Sequence, residues 1–214
     1  MKWLALNWPM TLPLLVQHLA LALPAIVFSA IIAVPIGRLA HRHPRLGRPL
    51  VSATTLLYAI PSLPLLIIVP SLFGTRLRSG ATMIIALTIY GVSLMVRTAV
   101  DAFASVDQSV LSAATALGFS RRSLLWKVEL PLALSVMISG LRVVAMSTIG
   151  LVTIGSLVGI HSLGSLLTDG FQRGILAEVL TGIVLTVLLA FVVDGILVLI
   201  GKVLTPWAQT GGAR

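Results

Sequence analysis

The 214-residue chain has no cysteine, which excludes disulfides, cysteine-ligated zinc and thiol catalysis. Charge is scarce as well. Only 10% of residues are charged, against about 25% in an ordinary soluble domain. Acids number only 6 against 15 basic residues, and no segment clusters them with the 4 histidines. His18, His41, His43 and His161 are scattered. His41 and His43 lie in a basic segment without a carboxylate or thiol ligand, so no metal site is expected there. A membrane enzyme would need a cluster of His, Asp or Glu on one face, and none is visible. The chain also lacks G-x-x-x-x-G-K-[ST], the loop that cradles nucleotide phosphates, so it carries no ATP site of that kind. What it has is apolar: 57% hydrophobic residues and a mean hydropathy of +1.08. This is the composition of an all-α integral membrane protein. The net charge of +9 does not point to nucleic acid, because the basic residues form no single patch or stripe.

Five apolar runs are long enough to cross a bilayer, at about 19–36, 50–69, 81–100, 131–158 and 179–200. Residues 1–18 contain Pro9 and Pro13 and no cleavage site, and read as a short outer-surface segment rather than a signal peptide. Trp3 and Trp8 suit an interface. The segment from Arg38 to Pro49 carries four arginines and no acid, and reads as a solvated basic loop on the cytoplasmic side, within reach of anionic head groups. Counting Lys and Arg by side places ten inside (Arg38, Arg42, Arg45, Arg48, Arg97, Arg121, Arg122, Lys127, Lys202, Arg214). Four fall outside (Lys2, Arg76, Arg78, Arg173), and Arg142 lies in the membrane. That asymmetry puts the N-terminus out and the C-terminus in. No internal repeat or linker divides the chain, so 1–214 reads as one domain.

The longest polar interruption is Asp107 to Pro131, within a cytoplasmic loop of about 101–131. Ser109 to Leu117 has no Gly or Pro and three alanines, which favours a short helix. Gly118 then sits where a helix ends in a left-handed residue. A second helix is expected from Ser120 into Pro131. Two short helices meeting at a glycine make a compact knob suited to docking a soluble partner. The spacing is Ser112-Ala113-Ala114, three residues, Gly118, nine residues, then Val128-Glu129-Leu130-Pro131. It resembles the EAA loop of permease subunits in ABC-type importers: E-A-A, three residues, G, nine residues, I-x-L-P. Gln17-His18-Leu19, Ile60-Pro61-Ser62-Leu63 and the Gly-rich stretch from Gly155 to Gly164 extend the resemblance to nearly the whole chain. Among importers it looks most like permeases for glycine betaine, carnitine or choline. His161 and Ser162 depart from the family's GAGGLG segment, and Ser112 stands where the family has an acid.

The resemblance implies a type I importer permease fold. It also implies two cytoplasmic ATPase subunits, a second permease subunit, identical or related, and an extracytoplasmic substrate-binding protein. ATP would be used by the partner ATPase, and this chain would bind no cofactor. Ser112, Ala113, Ala114, Gly118, Leu130 and Pro131 would be the ATPase-docking residues. A self-contained secondary transporter is the competing reading. The lack of an inverted repeat and the single acid at depth count against it.

Within the spans, Arg97, Arg142 and Asp194 are costly in lipid, by about 2.5–3.5 kcal/mol each at mid-span. Asp194 is expected to pair with Arg97 or Arg142. Tyr58, Pro61, Ser62 and Tyr90 lie at or opposite a double-proline break in the second span. Either they line a transit path, with aromatic faces toward a cationic solute, or they pack between helices. Topology is directly testable in this cysteine-free chain. With an impermeant thiol reagent on intact cells, Thr168→Cys should label and Ser120→Cys should not; the reverse pattern would overturn the orientation.

Overall fold

The computed structural model describes residues 2–207. Arg214, counted among the inner basic residues, lies outside them. The described residues are built of helices α1 to α9, with no strand.

α1 is a single helix of 41 residues, Lys2–Arg42, about 60 Å long and twice the depth of the hydrocarbon core. The expected outer segment at 1–18 is therefore the first part of this helix, not a separate element. Each of Pro9 and Pro13 removes one backbone donor, yet the helix carries on. Trp3, Leu14, Leu15 and Leu19 pack onto the apolar core, and such packing outweighs local propensity. The expected basic loop at 38–49 is also mostly helical. α1 runs to Arg42 and α2 (Pro44–Tyr58) starts after His43 alone. Pro44 excludes the helical region for His43, which sits at φ −124, ψ 81, and Pro44 itself suits a first helical turn. The elbow is tight: a Cβ on Gly47 would lie 2.2 Å from the Ala40 carbonyl oxygen.

α2 and α3 (Ser62–Phe73) are the two halves of the second span, bent by 109° at residues 59–61. The cause is local. In a continuous helix the Ile60 carbonyl would accept from residue 64, which is proline and has no N–H. The Tyr90 hydroxyl donates to that carbonyl instead. α4 (Gly80–Ala104) lies parallel to α1. Gly37 of α1 meets Ala99 of α4, and the His41 ring stacks on Phe103, so both C-termini are at one level. Near the other end, Gly80 approaches Leu21. The chain can start a second parallel helix only by crossing back between them, so the bent pair is a full span and the protein crosses five times.

The cytoplasmic hairpin follows. α5 (Gln108–Ala116) is capped by Asp107, whose carboxylate accepts the Ser109 N–H at 2.8 Å. Gly118 turns the chain at φ +86, and α6 (Arg121–Leu124) is capped by the Ser120 side chain. A π turn at Leu125–Glu129 then joins α6 to α7 (Leu130–Val152). There the Leu130 N–H reaches back five residues to Leu125, and Pro131 removes the donor that an α-helical Lys127 carbonyl would need. α7 tightens to a 3₁₀ turn at Thr153–Val158 and stops at Gly159, φ +82. The outer helix α8 (Gly164–Arg173) and the last span α9 (Leu176–Leu204) complete the chain.

The core lies where α1, α4 and α7 meet, with α9 against α7. Small residues set the spacing, as lipid supplies no hydrophobic drive for helix association. A Cβ on Gly91 would fall 2.0 Å from Ser29 Oγ, and one on Gly140 would fall 2.2 Å from a Thr98 methyl. Gly195 of α9 has no atom within 4 Å of such a position. Gly91→Leu should therefore abolish monodisperse protein in fluorescence-detected size-exclusion chromatography, while Gly195→Leu retains it. Equal behaviour of the two would show that the α1–α4 contact does not set the packing.

Candidate functional site

The inner face carries the hairpin that the motif spacing marks out. Ala114 is buried, whereas Ser112, Ala113 and Gly118 are exposed at its tip. No atom lies within 4 Å of a Cβ built on Gly118, so it is the positive φ, not crowding, that calls for glycine there. Leu117 is 80% exposed and Phe119 is exposed beside it. These two apolar side chains flank the glycine on a loop outside the bilayer, where lipid cannot cover them. The motif named Gly118 but not its neighbours; two large apolar residues in a polar loop were the available signal. Asp107, at the base of α5, is held below the usual carboxylate range by hydrogen bonds from Ser109, the backbone N–H first. Leu130 and Pro131 are not at the tip. They start α7 and line an apolar cavity of about 390 Å³ with Met95, Met137 and Trp207. A cleft of about 620 Å³, lined by Ser112, Thr115, Glu129, His41 and Arg42, separates the hairpin from the end of α1.

One ion pair ties the hairpin to the spans. Arg38 Nη2 of α1 donates to Glu129 Oε2 at 3.0 Å across 91 residues of sequence. Glu129 is only 5% exposed. The local sequence gave no sign of this contact, since Arg38 reads as one of several loop arginines. Deeper in the membrane, Arg142 of α7 and Asp194 of α9 form a two-pronged pair, with Nε to Oδ1 at 2.7 Å and Nη2 to Oδ2 at 2.8 Å. Such planar matching satisfies both groups at once. Arg97 takes no part; it pairs with Asp101 one turn on, at 3.2 Å, and both are exposed.

The residues around the double-proline break do come together. Tyr58 and Tyr90 meet edge to face, with ring centres 5.9 Å apart. Tyr58 and Pro61 are exposed, Ser62 is half-buried, and Tyr90 is packed in the core with its hydroxyl on the Ile60 carbonyl. Of the four, then, Tyr58, Pro61 and Ser62 have accessible surface, while Tyr90 stands behind Tyr58. On α1, buried His18 donates from Nε2 to the Ile149 carbonyl at 3.0 Å. A carbonyl only accepts, so that nitrogen carries the proton. The bond falls where α7 tightens into its 3₁₀ turn. At the outer end, His161, Asp169, Gln172 and Glu178 line a cavity of about 510 Å³, and Arg173 pairs with Asp169 at 2.9 Å. Among the described residues, no group of three or more His, Asp or Glu is arranged to hold a metal ion.

Residues 25–205 match the family described as "binding-protein-dependent transport system inner membrane component". The chain belongs to this family. The permease is 29% identical to the glycine betaine/carnitine/choline transport system permease protein OpuCD of Bacillus subtilis, over 92% of this chain and 85% of that one. It is 33% identical to the osmoprotectant import permease protein OsmW of Salmonella typhimurium, over 89% of each. Its fold is that of a chain in the MetNI methionine ABC transporter, with a TM-score of 0.78 at 22% identity, over 92% of this chain and 98% of that one. The permease is thus an inner-membrane, multi-pass transport subunit with the type I importer fold.

The Arg142–Asp194 pair gives a clean test of what holds α7 to α9. Arg142→Ala leaves a carboxylate without its partner in a membrane span, where the surrounding lipid offers no replacement donor. Thermal unfolding in detergent should show a large loss of stability for that variant. Arg142→Ala with Asp194→Ala should recover much of it, and no recovery would mean that the pair does not act as a unit.

Proposed function

We propose that the permease, as a pair of identical or related subunits, forms the membrane channel of an ATP-driven importer for quaternary ammonium osmoprotectants such as glycine betaine, carnitine and choline. The carrying observation is the cytoplasmic knob: a capped helix, a glycine in the left-handed region and two exposed apolar side chains, fixed to the spans through Glu129 and Arg38. A knob of this kind fits a groove in a soluble ATPase. Each chain carries one knob, so two ATPases require two permease chains. ATP belongs to those partners, because this chain has no phosphate-binding loop. An extracytoplasmic binding protein would deliver the solute at the outer face.

The solute class rests on the relatives' names and on chemistry suited to it. A quaternary ammonium group has no N–H to donate and is recognised by aromatic faces, and Tyr58 is exposed at the broken span beside Pro61 and Ser62, with Tyr90 supporting it. Weak contact is what a path needs, since the solute must leave again. Methionine is the second reading, supported by the fold shared with the MetNI chain, a likeness of fold alone.

Uptake of labelled betaine, carnitine, choline and methionine by the reconstituted complex separates the two. Betaine, carnitine or choline uptake is expected; methionine uptake without any of them would overturn the class. In the same assay, Gly118→Val meets a backbone strain of about 1–3 kcal/mol at its positive φ and should lose ATPase association together with uptake. Full association in that variant would remove the docking role from the knob. Tyr58→Ala should lower uptake with docking unchanged, and normal uptake there would move the path elsewhere.

A further inference from the structure

At the inner end of the spans a cavity of about 350 Å³ opens between α1, α4 and the π turn. Its walls are apolar, formed by Val34, Leu39, Phe103 and Leu130. Arg38, Arg42, His43 and Trp126 also line it. The acid nearest the cationic groups is Glu129, and it engages only Nη2 of Arg38. Arg38 Nε is buried and has no hydrogen-bond partner. A buried guanidinium N–H without an acceptor is uncommon. Arg42 is exposed and makes no ion pair among the described residues. Trp126 is 60% exposed, a ring placed as interfacial tryptophans are.

We propose that this cavity is a binding site for an anionic phospholipid. The apolar lining takes the start of an acyl chain, and the phosphodiester pairs with Arg42 and with the Arg38 guanidinium where that side chain remains exposed. Phosphate is the shared chemistry of a lipid head group and a free anion, and the walls decide between them. A soluble anion would leave the apolar part of the cavity bare, whereas a lipid fills both parts. The consequence concerns coupling. The guanidinium that would hold the phosphate also holds Glu129, at the root of the docking hairpin. An occupied site therefore fixes Arg38 between lipid and hairpin.

Arg38 and Arg42 against Glu129, which pairs with Arg38, leave a net charge of about +1 beside the cavity, which favours an anionic over a zwitterionic lipid by about fivefold. The test uses the full chain with Trp3, Trp8 and Trp207 replaced by phenylalanine, in nanodiscs of phosphatidylcholine. Brominated phosphatidylglycerol or brominated phosphatidylcholine is added at equal mole fraction, and quenching of Trp126 is read. Phosphatidylglycerol should quench about fivefold more effectively, and Arg42→Gln should bring the ratio to about one in monodisperse protein. A ratio of one in the parent, or a ratio unchanged in Arg42→Gln, overturns the site. Arg45→Gln, outside the cavity, should leave the ratio intact; an equal fall there means diffuse surface attraction and also overturns it. Inorganic phosphate at constant ionic strength should have no effect. If it abolishes the preference, the site takes a soluble anion and the lipid assignment is wrong.

Discussion

A polar group inside the bilayer finds its partner within the protein, because no water is there to supply one. The spans of this permease are arranged around that requirement. The Ile60 carbonyl, left without a donor by Pro64, receives the Tyr90 hydroxyl. The Ile149 carbonyl, where the helix tightens into a 3₁₀ turn, receives His18. Asp194 is matched at both oxygens by Arg142. Each of these bonds joins two different spans. The irregular points of the backbone and the charges at depth are thus also the points that fix one helix against another.

The same rule explains why a chain with so many prolines stays helical. In α1, Pro9, Pro13, Pro24 and Pro35 each delete one bond from the ladder, and the helix persists on packing against α4 and α7. In the second span the prolines fall close together, at 61 and 64, and the chain bends by 109°. One missing donor is tolerated by a packed helix. Two within one turn, beside a tyrosine able to take the freed carbonyl, make a break.

The inner face joins two kinds of surface that would otherwise act separately. The knob of α5 and Gly118 faces solvent and is connected to the spans through a short π turn. Glu129, at the end of that turn, is buried against Arg38 of the first helix. A displacement of the knob therefore reaches α1 through an ion pair as well as α7 through the backbone. α1 in turn packs along α4, whose Tyr90 supports the broken span. This is a continuous physical connection from the cytoplasmic knob to the broken second span.

Much of this was legible from residue order. Hydropathy marked five crossings, the distribution of arginines gave their orientation, and the Ser112 to Pro131 spacing marked the knob, down to the glycine that takes a positive φ. These features are local: they depend on composition within one span or on spacing within one hairpin. Local rules misread residues 1–18 and 38–49: packing carried α1 through Pro9 and Pro13, and the arginine-rich stretch is helical on both sides of a one-residue elbow at His43. They offered Arg97 and Arg142 equally as partners for Asp194, and only the facing of α7 and α9 decided for Arg142. They gave no sign that Arg38 holds Glu129 across 91 residues, or that Tyr90 is turned inward to a carbonyl while Tyr58 is left exposed. Sequence by itself determined which segments enter the membrane and which face the cytoplasm, because those follow from transfer free energies of consecutive residues. Tertiary structure decided which polar groups meet, because a buried charge or carbonyl is satisfied by whichever donor another helix brings within about 3 Å.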